Sequence, residues 1–475
     1  MSDYDLIVVG AGTAGMVCAS EAARRGLRVA AFEKDDRIGG ALHWSGGHMS
    51  AGGTRRQRAR GIDDSVADHL ADIRRINGGS GDPALIEKAA RLAPGTIDWL
   101  EDLGFAFAPE CPRVIYGHVP YDRPRTHYGV NKALSILEVI RPLWDEQVAA
   151  GRLELFAGRA VDELLTDGGR VTGVRAGQRT ARAPHVVLTT GGYGSNPELF
   201  AELHPGVHLL STAYPTATGD GHLLARRAGA VLEYADCFVP SLGGVELSPG
   251  RADFNRAWAM LLTSVYRPAR EIYLDGDGHR FMDENEANAD TRERTVLERT
   301  QGFFWAVFDQ AALDWRSPTG AENPLMIGWD QGRTEAEANR GGFLHRANSL
   351  DELARATGLP TTTLRQSVAK WNDCVASGHD PAFGRAPCAH PLTTPPYYAL
   401  KTHYSVLVTF AGLRADPGLR VLDAGGRPIP GLYAAGEALG LGATSGNAFC
   451  SGMAITPALA FGRWLGQTLE SETLR

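Results

Sequence analysis

Three glycines at G-x-G-x-x-G spacing, Gly10, Gly12 and Gly15, followed by a carboxylate at Glu33, carry the plainest chemistry in this 475-residue chain. At that spacing the first glycine makes a tight turn, the second bares backbone where a pyrophosphate approaches, and the third lets a helix lie close to its strand. The helix start offers N–H groups and a positive dipole end to the phosphates, and Glu33 is placed to accept ribose hydroxyls. The combination predicts dinucleotide binding without separating NAD from FAD. The segment "IPGLYAAGEALGLG" separates them: a short apolar strand, Leu432 to Ala435, ends in Gly436 and Glu437, where an acid would hold a ribityl hydroxyl. Small residues then lead into a helix. Gly452, Met453, Ala454 and Ile455 at its start would aim N–H groups and the helix dipole at the flavin N1/C2=O edge, where negative charge develops on reduction.

A second cluster lies in "VIYGHVPYDRPRTHYG", with Tyr116, His118, Tyr121, Arg123, Arg125, His127 and Tyr128 within sixteen positions. Such a density of polar, aromatic and basic groups reads either as substrate recognition or as a solvated loop. A tyrosine is a poor base near neutral pH unless a cation or backbone N–H lowers its pKa, and Tyr121 beside Arg123 and Arg125 meets that condition on paper. His403 and Tyr404 are further acid-base candidates. In the stretch that follows, "VLVTFAG", alternation puts Val406, Val408 and Phe410 on one face, which either packs into the core or lines a pocket. Cys450 reads as a small packing residue or as a neighbour of the flavin.

The elements that must position these groups follow from periodicity. Leu6 to Val9 form a continuous apolar run, as expected for a strand buried on both faces of a parallel sheet. The chain as a whole reads as α/β, a Rossmann-like domain interrupted by a smaller α+β domain. A hydrophobic share of 43% and a charged share of 22% describe a globular protein, and a net charge of −7 with scattered Lys and Arg argues against nucleic acid as partner. No apolar run approaches the ~20 residues needed to cross a bilayer, so no membrane insertion is expected. The six cysteines lack metal-ligand spacing. With the first strand starting so close to Met1, they predict a cytoplasmic protein without a metal.

Six stretches, "GAGTAG" with Glu33, "GGALHWSGGHMSAGG", "VVLTTGGYGSN", "TGDGHLLARRAGA", "GHRFMDE" and "IPGLYAAGE", stand in the order in which they occur in a known family. The chain resembles the FAD-dependent flavoproteins that include succinate dehydrogenase and fumarate reductase subunits, 3-ketosteroid Δ1-dehydrogenases and tricarballylate dehydrogenase. That resemblance implies an FAD-binding domain over 1–233 and 396–475, and a capping domain over 234–395. It implies cofactor contacts from Ala14, Lys34, Gly40, Ala41, His43, Ser45, Gly46, Gly47, Ala160, Val161, Thr190, Gly191, Gly192, Asn196, Thr218, Gly219 and Asp220. Asp220 reads as a helix cap rather than a catalyst. Membrane-bound relatives attach FAD through a histidine; here that place falls on Gly40, so non-covalent FAD is expected, with His43 nearby.

Soluble fumarate reductases clamp a dicarboxylate with two histidines and an arginine, and none of the three is matched here. "FVPSLGG" lacks the first histidine, Val408 replaces the second, and "NAFCSG" replaces the arginine pattern. Losing three charge-assisted contacts argues against a fumarate-like ligand. The resemblance places Val408, Thr409, Phe410, Phe449, Cys450, His118, Arg123 and Arg125 at the substrate, Tyr121 or Tyr116 as acid-base groups, and Arg292 near the proton-donating arginine of fumarate reductases. The expected reaction removes two hydrogens from adjacent carbons beside a carbonyl or carboxyl group of a small molecule, hydride passing to flavin N5 and electrons onward to an external acceptor. Two alternatives stand beside it: an ene-reductase of an unsaturated acid or enone, and a flavin-binding protein without turnover.

Overall fold

The structure, a computed structural model, describes residues 3–470 apart from 209, 247, 253–264, 266, 316–325 and 327–328. Two compact units divide the chain, one of Met1–Pro205, Ala213–Phe238 and Val408–Arg475, the other of Gly206–Thr212 and Val239–Leu407. Where the sequence suggests boundaries at 234 and 396, the contacts divide the chain after Phe238 and after Leu407.

In the first unit, Leu6, Ile7, Val8 and Val9 form β1 (Leu6–Val9), buried along its whole length at the middle of the sheet. It pairs in parallel with β2 (Val29–Phe32), and β2 in turn with β3 (Leu153–Phe156). On its other flank β1 pairs with β4 (His185–Leu188). An outer antiparallel strand β5 (Arg420–Leu422) joins β6 (Pro428–Ala434), which runs parallel to β4. The order β5-β6-β4-β1-β2-β3 reverses direction at β1. Ligands of open parallel sheets bind beyond the carboxyl ends of the strands at such a switch point.

Helix α1 (Thr13–Arg24) follows β1 directly, and helix α2 (Ile455–Thr468) closes the chain against it. Gly462 and Gly466, one turn apart on α2, face Ala14 and Cys18 so closely that a Cβ on either would collide with a carbonyl oxygen of α1. This approach, open only to glycine, sets the amino end of α2 beside that of α1. Gly436, at the end of β6, lies in the same place: its Cβ would come 3.3 Å from the Cβ of Ala14 and 3.7 Å from that of Ala458.

The second unit is built on an antiparallel sheet in the order Ser241–Gly244, Tyr397–Ser405, Phe303–Asp309, Ile272–Leu274, with Leu344–Ala347 also paired to the long Tyr397–Ser405 strand. Phe304, Ala306 and Phe308 join one apolar cluster, Trp305 and Val307 the other, as the two-residue period of a strand requires. The long strand ends at Ser405, so Val406, Val408 and Phe410 do not share a strand face as alternation suggests. In "EIYLDGDGHRFMDE", Ile272–Leu274 pairs with Phe303–Asp309, and a single bridge joins Leu274 to Arg280.

Three histidines of the first unit are fully buried and, held from water, stay neutral: His69 is pushed down from 6.5 to about 3, and His127 and His222 to about 4. Above pH 6.5 neither folded nor unfolded chain protonates them. Below it the unfolded chain takes up protons that the folded chain refuses, so stability is lost as pH falls from 6.5 towards 4. Each such group contributes about 1.4 kcal/mol per pH unit in that window. Melting temperatures measured across it should fall steeply; a flat profile would contradict this burial.

Candidate functional site

At the switch point, Gly10 adopts φ +99°, and a Cβ there would sit 2.6 Å from the Thr189 carbonyl oxygen. Gly12 occupies the N-cap of α1 with no side-chain cap, and a Cβ on it would meet no atom within 4 Å. No side chain caps the first N–H groups of α1, the arrangement that leaves them for a pyrophosphate. Glu33, just past β2, accepts N–H bonds from Ala11 at 2.7 Å and from Asp35 at 2.9 Å, while burial pushes its carboxyl up. The Arg159 N–H donates to the Glu33 carbonyl at 2.8 Å, which draws Ala160 and the buried Val161 past the end of β2.

Lys34 is held by Asp220 at 2.7 Å and by Thr218, and the Thr218 hydroxyl donates to Asp220 at 2.7 Å. Asp220 is thus a partner of Lys34 rather than the helix cap suggested by sequence; Gly219 holds the N-cap position. Asn196 caps its own helix through Leu199 and donates to the Thr218 carbonyl at 2.9 Å. These residues brace the loops around the site through one another. Thr190, by contrast, has a buried hydroxyl without a hydrogen-bond partner among the described residues.

At the far end, Glu437 accepts both the Thr409 N–H at 2.8 Å and the Thr409 hydroxyl at 2.9 Å on one oxygen, and burial pushes its carboxyl up. Thr409, expected at the substrate, instead holds this acid. Gly192 allows the arrangement, since a Cβ there would collide with both Thr409 and Glu437 side-chain oxygens. Gly452 has φ +78° and presses against the backbone of Met49 and Ser50, and the Ser50 N–H donates to Thr456 at 2.8 Å. Met453 and Ala454 follow, and α2 begins at Ile455 with no side-chain cap.

The loop of Gly40, Ala41 and His43 is a single tight helical turn pinned to the glycine turn by the Gly39 N–H donating to the Ala11 carbonyl at 2.8 Å. His43 donates from Nε2 to the Ile38 carbonyl at 3.0 Å, and the Ser45 hydroxyl accepts the Gly47 N–H at 3.1 Å beyond Gly46. Two uncapped helix ends, a buried carboxylate near each and bare glycine backbone between them match an elongated dinucleotide. The site fits FAD on those grounds.

The loop 114–129 corrects several expectations. Tyr121 is buried, its hydroxyl donates to the Ser451 carbonyl at 2.7 Å, and desolvation pushes it well above the usual phenol range despite the Arg125 guanidinium 5.6 Å from its ring. It is unsuited to act as a base. Arg125 is buried between Asp64 and Asp72, an ion-paired strut that cannot also take a substrate. Arg123 donates to the Asp63 carbonyl at the surface, and Tyr116 is 40% exposed. Phe410 is fully buried with its ring edge on Phe238, and Cys450 is buried beside Ser445, so both are core. Val408 is half-buried on a bend. His118 stacks on Phe449 with centroids 4.0 Å apart and planes 19° from parallel.

In the second unit, Arg292 is 4% exposed on the helix Ala289–Arg299, beside Glu293, whose carboxyl burial pushes well up. His403, on the long strand, is pushed down to about 4 by burial and lies 4.0 Å from Glu246, so at neutral pH it is an uncharged imidazole.

Two residues of the first unit escaped the sequence reading. Tyr193 hydrogen-bonds His204 at 2.7 Å and accepts the Ala411 N–H at 3.2 Å, steadying the backbone next to Thr409. His48 follows Gly46-Gly47 directly, a signal that was visible in the sequence, and burial pushes it down to about 4.

Comparison with known proteins agrees with this geometry. The family described as FAD binding domain matches residues 5–453. A probable fumarate reductase, Ifc3, of Shewanella frigidimarina is 30% identical over 99% of this chain and 75% of its own. Urocanate reductase of Eggerthella lenta is 30% identical over 98% of this chain and 74% of its own. Among solved structures, an open flavocytochrome c3 fumarate reductase superposes with a TM-score of 0.78 at 28% identity, covering 98% of this chain and 78% of that one. A 3-ketosteroid Δ1-dehydrogenase from Sterolibacterium denitrificans shares the fold at a TM-score of 0.76 and 22% identity, covering 98% and 99%.

Proposed function

From the premise that the chain belongs to the FAD binding domain family and is an FAD-dependent oxidoreductase acting on carbon–carbon double bonds, we propose that it reduces a C=C bond conjugated to a carboxyl or carbonyl group of a small molecule. The observation that carries the direction is Tyr121: its phenol is buried, committed to the Ser451 carbonyl and pushed well above its usual range, so it keeps its proton. Among the acid-base candidates, Arg292 is the buried cation, suited to giving a proton rather than taking one.

Bound at this site, FAD would supply the hydride that the reduction needs. By the family resemblance Arg292 would give the proton taken up by the substrate, so that the C=C bond becomes CH–CH with the two electrons coming from an external donor. Glu437 would hold the ribityl chain and Glu33 the ribose. The amino end of α2 would steady negative charge on the reduced cofactor. FAD is held without a covalent bond, His43 being turned to the Ile38 carbonyl. The oxidative direction expected from sequence is the same exchange reversed, and forms the second reading.

With reduced viologen as donor, a panel of unsaturated acids and enones should give saturated products. Bleaching of oxidised flavin by saturated compounds, with no reduction of any unsaturated one, would reverse the direction proposed.

A further inference from the structure

Tyr193 follows Gly192 in the loop after β4, and its ring is fully buried against Phe200, His204 and His222. A phenylalanine would fill the same space, so packing does not account for the hydroxyl. Away from water a hydroxyl and an imidazole are costly unless each is bonded. Here both are. The phenol oxygen accepts the Ala411 N–H at 3.2 Å, so its own proton goes to His204 Nε2 at 2.7 Å. Burial holds His204 at about 4, which leaves it neutral at pH 7 and able to accept that proton, and the imidazole also bonds the Ala235 backbone. The bonds thus run from Ala411 through Tyr193 and His204 to Ala235.

What these bonds fasten is backbone with no strand to hold it. The chain re-enters the first unit at Val408 and runs irregularly as far as the short strand Gly412–Leu413. Irregular backbone must find a partner for each buried N–H and C=O. Thr409 gives its N–H and its hydroxyl to Glu437, while the Thr409 and Phe410 carbonyls take the N–H groups of Leu441 and Gly442 at 2.9 and 3.0 Å. The Ala411 N–H goes to Tyr193. Tyr193 also reaches Thr409 directly: its backbone N–H donates to the Thr409 hydroxyl oxygen at 3.4 Å, which leaves that hydroxyl's proton for Glu437. Ala235 stands three residues before Phe238, where the chain leaves the first unit. Tyr193 and His204 therefore tie the outgoing stretch to the returning one inside the first unit, beside Glu437.

Resting on the reading that Glu437 holds the ribityl chain of FAD, we propose that Tyr193 and His204 are positioning residues for the cofactor. By anchoring the Ala411 N–H they keep Thr409 where it presents both of its donors to Glu437, and so they set how firmly that carboxylate grips FAD.

Titration of the apoprotein with FAD, followed by flavin fluorescence, tests this in a double-mutant cycle of Tyr193→Phe with Glu437→Ala. Tyr193→Phe alone should weaken FAD binding about 10-fold, as the loss of one buried hydrogen bond implies. On top of Glu437→Ala the same change should weaken it by less than about 2-fold, because the grip that Tyr193 serves is already gone. His204→Leu should follow the same pattern, and His204→Gln, which keeps an acceptor for the phenol, should recover part of the loss. Damage to the fold alone would lower FAD affinity by the same factor with and without Glu437. That result, or wild-type affinity in both Tyr193→Phe and His204→Leu, would overturn the proposal while leaving the reading of Glu437 intact. Wild-type affinity in Glu437→Ala would overturn that reading and the proposal with it.

Discussion

Gly192→Ala is expected to purify without its flavin and to regain it only at high added FAD. The added methyl has no room: it collides with the Thr409 hydroxyl and with the Glu437 oxygen that Thr409 holds. Either the carboxylate swings from the ribityl chain or the strand end carrying Thr409 shifts. One charge-assisted bond lost costs about 1.5–3 kcal/mol, and strain in the surrounding loop adds to it, so FAD affinity should drop by roughly 100-fold or more. The apoprotein should still fold, because the β4–β1–β2 sheet and the α1–α2 contact do not pass through Gly192. Fluorescence titration of apoprotein with FAD checks this, and wild-type affinity in the variant would mean that Glu437 does not hold the cofactor.

Arg292→Gln should leave FAD bound and reduce turnover by about 10³-fold, in the range of a lost general acid. Glutamine keeps hydrogen-bonding capacity but removes the cation and the proton. Reduction of the flavin by an external donor should be unaffected, while its reoxidation by unsaturated substrate becomes slow. That split distinguishes a proton donor from a residue that merely keeps the second unit folded, since misfolding would also lower flavin content or melting temperature. Reoxidation within a few-fold of wild type would remove Arg292 from the mechanism.

What the sequence disclosed was local. The strand Leu6–Val9, the turn at Gly10 to Gly15, α1 and Glu33 lie within thirty residues, and their spacing alone determines their geometry. The Gly436-Glu437 strand end and the uncapped α2 start were legible for the same reason. The loop 114–129 was not. Its composition announced polar and basic groups, but their partners lie elsewhere: Asp64 and Asp72 claim Arg125 from about sixty and fifty residues away, and the Ser451 carbonyl claims Tyr121 from 330 residues away. A tyrosine beside two arginines looks activated in sequence; once buried, desolvation outweighs the cation. Thr409 was taken for a substrate contact because its partner also lies elsewhere, its bond to Glu437 spanning a 28-residue connection.

Rapid mixing of anaerobically reduced holoenzyme with an excess of an unsaturated carboxylate tests the central claim most directly. The account predicts that oxidised flavin absorbance returns in one exponential phase whose rate rises with substrate, with one C=C bond reduced for each flavin reoxidised. Reduced flavin that stays reduced against every conjugated acid and enone, while oxygen reoxidises it at once, would contradict it.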